Sequence, residues 1–532
     1  MKHRLVSAAA AAILALGAHA AHADYKLTIL HTNDFHSRIE PINKYDSTCD
    51  QDDLAAAKCF GGSARLLTAI RAARQTADNP ILVDGGDQFQ GTLFYTTYKG
   101  KAAAEMMNAI GYEAMTVGNH EFDDGPEVLT AFIKAVDFPV LLANADVSQE
   151  PGLAGVVKRS VVIEKKGEKI GLLGVSPADT DELSSPGKKI RFSDPVEALT
   201  REVKALTDTG VDKIILLSHS GYSVDKRIAA EVPGIDVIVG GHSHSLLSNI
   251  DAKAEGPYPT MVKGPDGHDV PIVQAYAYGK YLGELEVTFD EKGVVTAASG
   301  QPLIMDGEIA EDSTLKQRVA ELAKPLEAIR KEVVAETASP IDGSKTCRIA
   351  ECPMGDLVAD AMLQRVKDQG ITIAITNGGG LRASIDAGKV TMGEVLTVLP
   401  FQNTLSTFRL KGSDVKAALE NGVSKVEEGA GRFPQVAGLK FAWKPAAAPG
   451  SRIAEVMVKE NGKFVPLDPD KVYGVVSNNY MRSGGDGYAV FEEKASEAYD
   501  FGPALDEVVA NYLAGRDGPY EPFTDGRITS AN

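Results

Sequence analysis

Short apolar runs that end abruptly in polar residues recur through the first half of this 532-residue chain. The runs are KLTIL (26–30), PILV (80–83), AMTV (114–117), PVLLA (139–143), KIGLLGV (169–175), KIILL (213–217) and DVIVG (236–240). Segments with apolar residues at helical spacing, including 63–74 and 195–206, lie between them. Strands that alternate with helices predict an α/β domain with helices on both faces of a sheet.

A similar pattern occupies the second half of the chain. Apolar residues at helical spacing over 312–336 predict a long connecting helix with a kink at Pro325. Beyond it, the pattern predicts helices at 354–366 and 502–514 and strands at 371–376 and 473–478. Since a single core seldom exceeds about 300 residues, we expect two domains, at 24–311 and 341–532, joined by a linker helix at 312–340.

Residues 1–23 have the composition of a secretory signal peptide. Lys2 and Arg4 precede an apolar stretch at 8–16, and a small-x-small cleavage site, AHA, follows at 21–23. No later apolar run approaches the roughly 18 residues needed to cross a bilayer. We therefore expect a periplasmic or secreted protein without a membrane anchor.

The chain is acidic, with a formal net charge of −18 at pH 7. Such a surface repels nucleic acid polymers and anionic lipid, so neither is an expected partner. An anionic substrate would need positive charge gathered in one cleft, by metal ions or a few arginines. The four Cys form two close pairs, Cys49 with Cys59 and Cys347 with Cys352, and export would permit a disulfide in each.

Side chains of the kind that bind metal ions follow the predicted strands of the first half. They are Asp34, His36, Asp87, Asn119, His120, His219, His242 and His244. Each alone is most often a turn or cap residue, but several strands would bring them to one edge of one sheet. Mixed nitrogen and oxygen ligands without thiolate suit divalent Mn, Zn, Fe or Co. Two such ions sharing a carboxylate would generate hydroxide and keep the cleft positive within an acidic protein.

Five motifs together resemble the signature of the calcineurin-like metallophosphoesterases: Asp34-x-His36, Gly86-Asp87, GNHE (118–121), His219 and GHSH (241–244). The resemblance implies one ion held by Asp34, His36, Asp87 and His244, and a second held by Asp87, Asn119, His219 and His242. It also implies that His120 is not a ligand. This imidazole, oriented by Asp123, would instead stabilise charge on the phosphoryl or leaving oxygen.

From residue 24 onwards, nearly the whole chain is similar to the two-domain 5'-nucleotidase family. The resemblance lies in ILHTNDFHSRIEP, GDQFQGTLFY, CRIAECPMGDLVADAM, NGGGLR, LPFQNT and SNNYMRSGGDGY. It implies an N-terminal β-sandwich flanked by helices and a C-terminal α/β domain that binds substrate. Arg348, Asn377 and Arg382 would hold the phosphate, Phe401 and Tyr480 would sandwich the base, and Asp486 would bind ribose hydroxyls. The chain departs from the family's pattern at His244, where many members have Gln, and at Ser344, where some bacterial members have Arg.

These features predict a 5'-nucleotidase of nucleotide catabolism, which would release phosphate from nucleoside 5'-monophosphates. Two divalent ions, Zn, Mn or Co, would present metal-bound hydroxide for in-line attack, while Arg348 and Arg382 neutralise the phosphoryl charge. The oligomeric state stays open, and a monomer is favoured.

Other activities stay open on the same fold. They are a UDP-sugar or dinucleotide pyrophosphatase, a 2',3'-cyclic-nucleotide phosphodiesterase and a hydrolase of sulfur substrates. A non-catalytic periplasmic protein that binds nucleotides or metal is a further alternative. His120 with Asp123 argues against it, because binding alone would not need this pair.

Overall fold

A computed structural model describes residues 24–44, 46, 48–49, 51–401, 403–499 and 502–531. The predicted signal peptide, 1–23, lies outside the described residues. Helices and strands are mixed through both halves of the chain, as predicted. Within the described ranges, no helix combines the length and the apolar character needed to cross a bilayer.

The described part of the N-terminal half contains two mixed six-stranded sheets, so the single sheet expected from the alternating pattern is wrong. In spatial order, the first sheet consists of Val295–Ile304, Tyr281–Phe289, Tyr25–Thr32, Ile81–Asp84, Ala114–Thr116 and Val140–Leu141. The second sheet consists of Thr260–Lys263, Asp269–Val273, Val237–Val239, Ile214–Ser218, Glu168–Val175 and Ser160–Lys165. The alternation of strands and helices along the chain indicates where strands lie, but not which strands hydrogen-bond to each other. It therefore does not predict the number of sheets.

The two sheets pack face to face, and helices cover their outer faces. In Tyr25–Thr32, Ile29 packs between the sheets with Ile215, whereas its neighbour Leu30 packs against helical residues such as Leu66. Side chains alternate between the faces of a strand, so each sheet serves two cores. The helices of this domain are Gln51–Ala55, Ser63–Thr76, Leu93–Tyr98, Gly100–Ile110, Gly125–Ala135, Thr180–Leu183, Pro195–Thr207 and Tyr222–Glu231. The β-sandwich flanked by helices is thus confirmed.

The connecting segment is helical only in part, so the prediction of one helix over 312–336 is wrong. It consists of the α-helix Ser313–Ala323, the 3₁₀ turn Lys324–Leu326 and the short α-helix Glu327–Arg330. The 3₁₀ turn contains Pro325, where a kink was predicted. Val333–Thr337 is a strand that pairs antiparallel with Gly388–Thr391. Its β-branched valines suit a strand, and the pairing partner is available only in the folded chain.

The C-terminal half contains a five-stranded and a four-stranded sheet within the described residues. In spatial order, the strands of the five-stranded sheet are Pro434–Ala437, Ile373–Asn377, Val472–Asn478, Leu405–Lys411 and Ser496–Tyr499. Those of the four-stranded sheet are Lys463–Pro466, Ile453–Glu460, Leu439–Trp443 and Ile528–Ser530. The α-helices are Pro353–Arg365, Met392–Val398, Gly412–Gly422, Asn479–Arg482, Ala489–Lys494 and Leu505–Ala514. Ile373–Asn377 and Val472–Asn478 are parallel neighbours, so the residues that end them lie side by side.

Both close pairs of cysteines form disulfides, as expected. Cys49 is bonded to Cys59 and Cys347 to Cys352. The second disulfide lies beside the start of the helix Pro353–Arg365 and encloses Arg348, one of the predicted phosphate-binding residues.

Candidate functional site

The predicted metal-binding residues follow the carboxyl ends of strands that belong to both sheets. Asp34 and His36 follow Tyr25–Thr32, Asp87 follows Ile81–Asp84, Asn119 follows Ala114–Thr116, His219 follows Ile214–Ser218, and His242 and His244 follow Val237–Val239. Five of them, Asp34, His36, Asp87, His242 and His244, have a positive φ between 49° and 69°. This left-handed backbone costs a non-glycine residue about 1–2 kcal/mol, and such strain is concentrated at functional sites.

Asp34, His36 and His244 form one buried group. His244 Nε2 lies 3.2 Å from Asp34 Oδ1 and 3.2 Å from His36 Nε2. His36 Nδ1 lies 2.9 Å from the carbonyl oxygen of Phe89, to which it donates, so its Nε2 presents a lone pair. Two atoms that share an ion at 2.0–2.2 Å lie about 3 Å apart. The geometry of this group therefore fits a divalent ion.

Asp87, His219 and His242 form a second group. His219 Nδ1 donates to the carbonyl oxygen of Gly85 at 2.6 Å, and its Nε2 lies 2.9 Å from Asp87 Oδ2. His242 Nδ1 lies 3.0 Å from Asn119 Oδ1. Burial alone would lower the pKa of His219, but the carboxylates of Asp87 and Asp34 raise it to about 10. Without a metal ion, Nε2 therefore carries a proton that it donates to Asp87, and a divalent cation bound between these two atoms would take the place of that proton. The second group therefore also fits an ion.

Asp87, a member of the second group, also lies close to the first. Its Oδ2 is 2.9 Å from His219 Nε2 and 3.9 Å from His36 Nε2. Its Oδ1 accepts the backbone N–H of His120 at 2.9 Å. A carboxylate in this position is suited to be shared by two ions.

Burial keeps three of these imidazoles in the neutral form that binds metal. It lowers the pKa of His36 and of His244 well below the usual range, and it lowers the pKa of His242 to about 3. Burial alone would raise the pKa of Asp87, but the neighbouring imidazoles of His219 and His120 lower it well below its usual range. The carboxylate between the groups is therefore ionised.

His120 and Asp123 form a hydrogen-bonded pair beside the metal-binding groups. His120 Nδ1 lies 2.7 Å from Asp123 Oδ2, and Ser184 Oγ donates to Asp123 Oδ1 at 2.6 Å. His120 Nε2 lies 4.0 Å from Asp87 Oδ2, next to the second group. Burial alone would lower the pKa of His120, but the carboxylates of Asp123 and Asp87 raise it above its usual value. The imidazole can therefore donate a hydrogen bond from Nε2 near neutral pH.

Glu121 is not among the predicted site residues, yet it connects the loops that carry them. Its side chain is fully buried. One carboxylate oxygen accepts the backbone N–H groups of Gly118 and Asp87 at 2.6 and 3.0 Å. The other accepts those of Gln88 and Phe89 at 2.8 and 3.2 Å. An acidic residue inside a buried motif was the only sequence signal for this role.

The C-terminal domain places cationic side chains against the metal-binding groups. Arg382 Nη2 donates to His36 Nε2 at 2.9 Å. Arg348 and Arg382 line one cavity together with Asp87, His242 and His244. Burial lowers the pKa of Arg348. Lys345 Nζ donates to the backbone carbonyl of Ser243 at 2.9 Å and so joins the two domains. Positive charge is thus gathered in one cleft, as the acidic composition required of an anion-binding site.

The cavity between the domains has a volume of about 700 Å³, within the range of about 300–1,000 Å³ typical of small-molecule sites. Asn377, Phe401, Tyr480 and Asp486 all line it. The ring of Phe401 stacks on that of His120, with centroids 5.5 Å apart and planes at 24°. Asn377 Nδ2 donates to Asp486 Oδ2 at 2.7 Å, so in this structure the amide lies against Asp486.

Comparisons with known proteins agree with this architecture. Residues 27–246 match the family model for calcineurin-like phosphoesterase, and residues 333–493 match that for the 5'-nucleotidase C-terminal domain. A 5'-nucleotidase of Diplobatis ommata is 39% identical over 528 residues, which cover 95% of this chain and 90% of the relative. A 5'-nucleotidase of Homo sapiens is 38% identical over 549 residues, covering 99% and 95% respectively.

A solved structure shows the same fold over nearly the whole chain. The crystal structure of a 5'-nucleotidase precursor from Thermus thermophilus matches with a TM-score of 0.91 and 42% identity, covering 96% of this chain and 100% of that one. The fold and the site thus define a two-domain metal-dependent hydrolase of phosphate esters. More narrowly, the chain belongs to the 5'-nucleotidase family.

Proposed function

We propose that this protein is a metal-dependent 5'-nucleotidase that releases phosphate from nucleoside 5'-monophosphates. One observation carries the proposal: two groups of buried imidazole and carboxylate ligands share a cavity with Arg348 and Arg382. A phosphate dianion requires such a concentration of positive charge, especially in an acidic protein. The relatives named 5'-nucleotidase, which match over 90% or more of the chain, support the same activity.

In this proposal, Asp34, His36, Asp87 and His244 would hold one divalent ion, and Asp87, Asn119, His219 and His242 would hold a second. Zn, Mn and Co are the ions we propose, because nitrogen and oxygen ligands are mixed and thiolate is absent. Bound here, the ions would act as Lewis acids on phosphoryl oxygens and activate water at neutral pH.

His120 and Asp123 supply the protein's own acid in the proposed reaction. Asp123 fixes the ring through Nδ1, which leaves Nε2 to donate a proton or hydrogen bond to the leaving oxygen of the substrate. Arg348 and Arg382 pair with the phosphate oxygens, since guanidinium groups match an oxygen pair. Phe401 and Tyr480 offer flat rings to the base, and Asp486 accepts hydrogen bonds from ribose.

We further propose that the mature protein acts as a monomer in the periplasm or outside the cell, after removal of 1–23. Relatives from snake venom, such as that of Gloydius brevicauda, support an exported protein. The two disulfides also suit an oxidising compartment. The domain limits 24–311 and 341–532 stay a prediction.

Phosphate release from adenosine monophosphate (AMP) tests the proposal. The assay compares AMP with a 2',3'-cyclic nucleotide, a UDP-sugar and a dinucleotide, with added Mn²⁺ before and after chelation. We expect the monophosphate to be hydrolysed fastest, and only with metal present. Faster cleavage of the cyclic nucleotide or of an anhydride would contradict the proposal and favour the alternative enzymes. Binding of AMP without turnover would indicate a non-catalytic binding protein.

A further inference from the structure

Ser184 binds the carboxylate that orients the proposed acid, His120. Asp123 Oδ2 lies 2.7 Å from His120 Nδ1, and the other oxygen, Oδ1, accepts the Ser184 hydroxyl at 2.6 Å. A carboxylate that is bound through one oxygen can rotate about its Cβ–Cγ bond, because this torsion has broad minima. A hydrogen bond on the second oxygen opposes the rotation. Asp123 and Ser184 together therefore fix the imidazole ring.

Ser184 ends a bridging segment, residues 177–184, whose centre is the short helix Thr180–Leu183. Hydrogen bonds within the segment hold its two ends together. The Thr180 hydroxyl donates to the carbonyl oxygen of Pro177 at 2.7 Å, and the N–H of Leu183 donates to that of Asp179 at 3.1 Å. A displacement of Asp179 would therefore also displace Ser184.

The C-terminal domain binds the bridging segment at Asp179. Lys425 Nζ donates to Asp179 Oδ2 at 2.6 Å, and Arg432 Nη2 lies 3.8 Å from the same oxygen. Burial alone would raise the pKa of Asp179, but the hydrogen bond and the charge of Lys425 lower it below its usual value. The contact is therefore an ion pair at neutral pH. The helix Thr180–Leu183 also packs against the turn Gly485–Gly487 of the same domain.

These contacts connect Lys425 in the C-terminal domain with His120 in the N-terminal domain. The connection runs from Lys425 to Asp179, through one helical turn to Ser184, and then through Asp123 to the imidazole. Lys425 is not among the described residues that line the cavity. A residue outside the cavity can thus affect the orientation of the proposed acid.

We propose that Ser184 is a positioning residue for the proton donor His120, and that Lys425 of the C-terminal domain holds it in place. The inference rests on the proposed function. In it, the N-terminal domain orients its acid fully only when the C-terminal domain is bound to the bridging segment. Loss of Ser184 or of Lys425 slows protonation of the leaving oxygen and leaves metal and phosphate binding intact.

Two substrates distinguish a loss of proton donation from a general defect. The nucleoside leaves AMP as a strongly basic alkoxide, which needs a proton. The phenolate that leaves 4-nitrophenyl phosphate is weakly basic and needs none. Both substrates present the same phosphate group to the site. Poor orientation of His120 should therefore lower kcat for AMP alone, whereas a defect in metal or phosphate binding should affect both substrates.

The test measures kcat and KM for both substrates with Mn²⁺ in Ser184→Ala, Lys425→Met and the double variant. Ser184→Ala should lower kcat for AMP by about 10- to 100-fold, the change expected for losing one hydrogen bond to a charged group. Lys425→Met should lower it by about two- to fivefold, because a partly exposed ion pair contributes less. KM for AMP and kcat for the nitrophenyl ester should stay at the wild-type values.

The double variant tests whether Lys425 acts through Ser184. If it does, the double variant should be as slow as Ser184→Ala, because the two residues then act on one connection and their effects are not additive. A loss equal to the product of the two single losses would contradict the role of Lys425.

Two control variants remove similar groups elsewhere in the chain. Thr68→Val removes a hydroxyl that donates to the backbone carbonyl of Ala64 at 3.3 Å, and Lys471→Met removes an ion pair with Glu460 at 2.7 Å. Both should hydrolyse both substrates as the wild-type enzyme does. Thermal unfolding and calorimetric titration with Mn²⁺ check that every variant folds and binds metal.

The inference alone is overturned if Ser184→Ala slows AMP hydrolysis no more than Thr68→Val does, or if it slows both substrates equally. The role of Lys425 is overturned if Lys425→Met hydrolyses AMP as fast as Lys471→Met. Should Ser184→Ala not fold, Asp179→Asn takes its place and should again slow AMP alone. A wild-type enzyme that hydrolyses the nitrophenyl ester but not AMP would overturn the proposed function as well.

Discussion

Replacing Glu121 by Gln should loosen the loops that carry Asp87 and His120. The two carboxylate oxygens of Glu121 accept four backbone N–H groups, two on each oxygen. A carboxamide of the same size has one acceptor oxygen. Whichever way it is turned, its NH₂ group faces two backbone N–H donors. Two of the four hydrogen bonds are therefore lost.

The expected magnitude follows from this count. A hydrogen bond to a charged group contributes about 1.5–3 kcal/mol, so losing two costs about 3–6 kcal/mol of the free energy of unfolding. This is a large fraction of the roughly 5–15 kcal/mol by which a domain is stable. Because one lost or displaced partner can be the N–H of Asp87, we also expect about 10- to 100-fold weaker binding of Mn²⁺, as for other residues that support metal ligands.

Stability is measured by urea unfolding of the chelated protein, and metal binding by calorimetric titration with Mn²⁺. Both are carried out at pH 8, because burial raises the pKa of Glu121 to about 7 and the carboxylate must be ionised. Glu420→Gln is a matched control, since Glu420 accepts the backbone N–H groups of Arg452 and Ile453 at 2.9 Å far along the chain. It should lower stability less and leave Mn²⁺ binding unchanged. If Glu121→Gln unfolds at the wild-type urea concentration and binds Mn²⁺ equally well, the reasoning is refuted.

Three further predictions concern the acid, the metal and the pH dependence of stability. His120→Asn should slow phosphate release at least about a hundredfold with Mn²⁺ affinity unchanged in calorimetry; a rate above a tenth of wild type would contradict its role. Chelation should abolish phosphate release and lower Tm, and Mn²⁺ should restore both; activity that survives chelation would exclude metal dependence. Burial lowers the pKa of His31 to about 3, against 6.5 in the unfolded chain, so the unfolded state takes up a proton first as the pH falls. The corresponding stability, about 5 kcal/mol, is complete above pH 6.5 and is lost towards pH 3. In urea unfolding at pH 7 and 4.5, His31→Gln should show a weaker pH dependence than wild type; an equal dependence would show that His31 does not cause it.

Local periodicity was sufficient for most individual elements. The predicted strands at 26–30 and 213–217 correspond to Tyr25–Thr32 and Ile214–Ser218, and the predicted helix at 195–206 to Pro195–Thr207. These elements are specified by side chains within a few residues of one another, so their pattern is visible in the sequence. Pairing is different, because a strand's partner can lie anywhere in the chain. Tyr281–Phe289 pairs with Tyr25–Thr32, and no local pattern indicates that choice.

The sequence by itself determined which side chains end the strands, and hence that carboxylate, imidazole and amide groups were available for metal ions. It also determined the family, because the motifs stand in a characteristic order. Only the tertiary structure decided that strand ends from two sheets meet, that Glu121 binds four backbone amides, and that Asn377 faces Asp486. Hydrogen bonds depend on distance and direction in space. Residues far apart in the chain acquire both only when the two sheets and the two domains pack together.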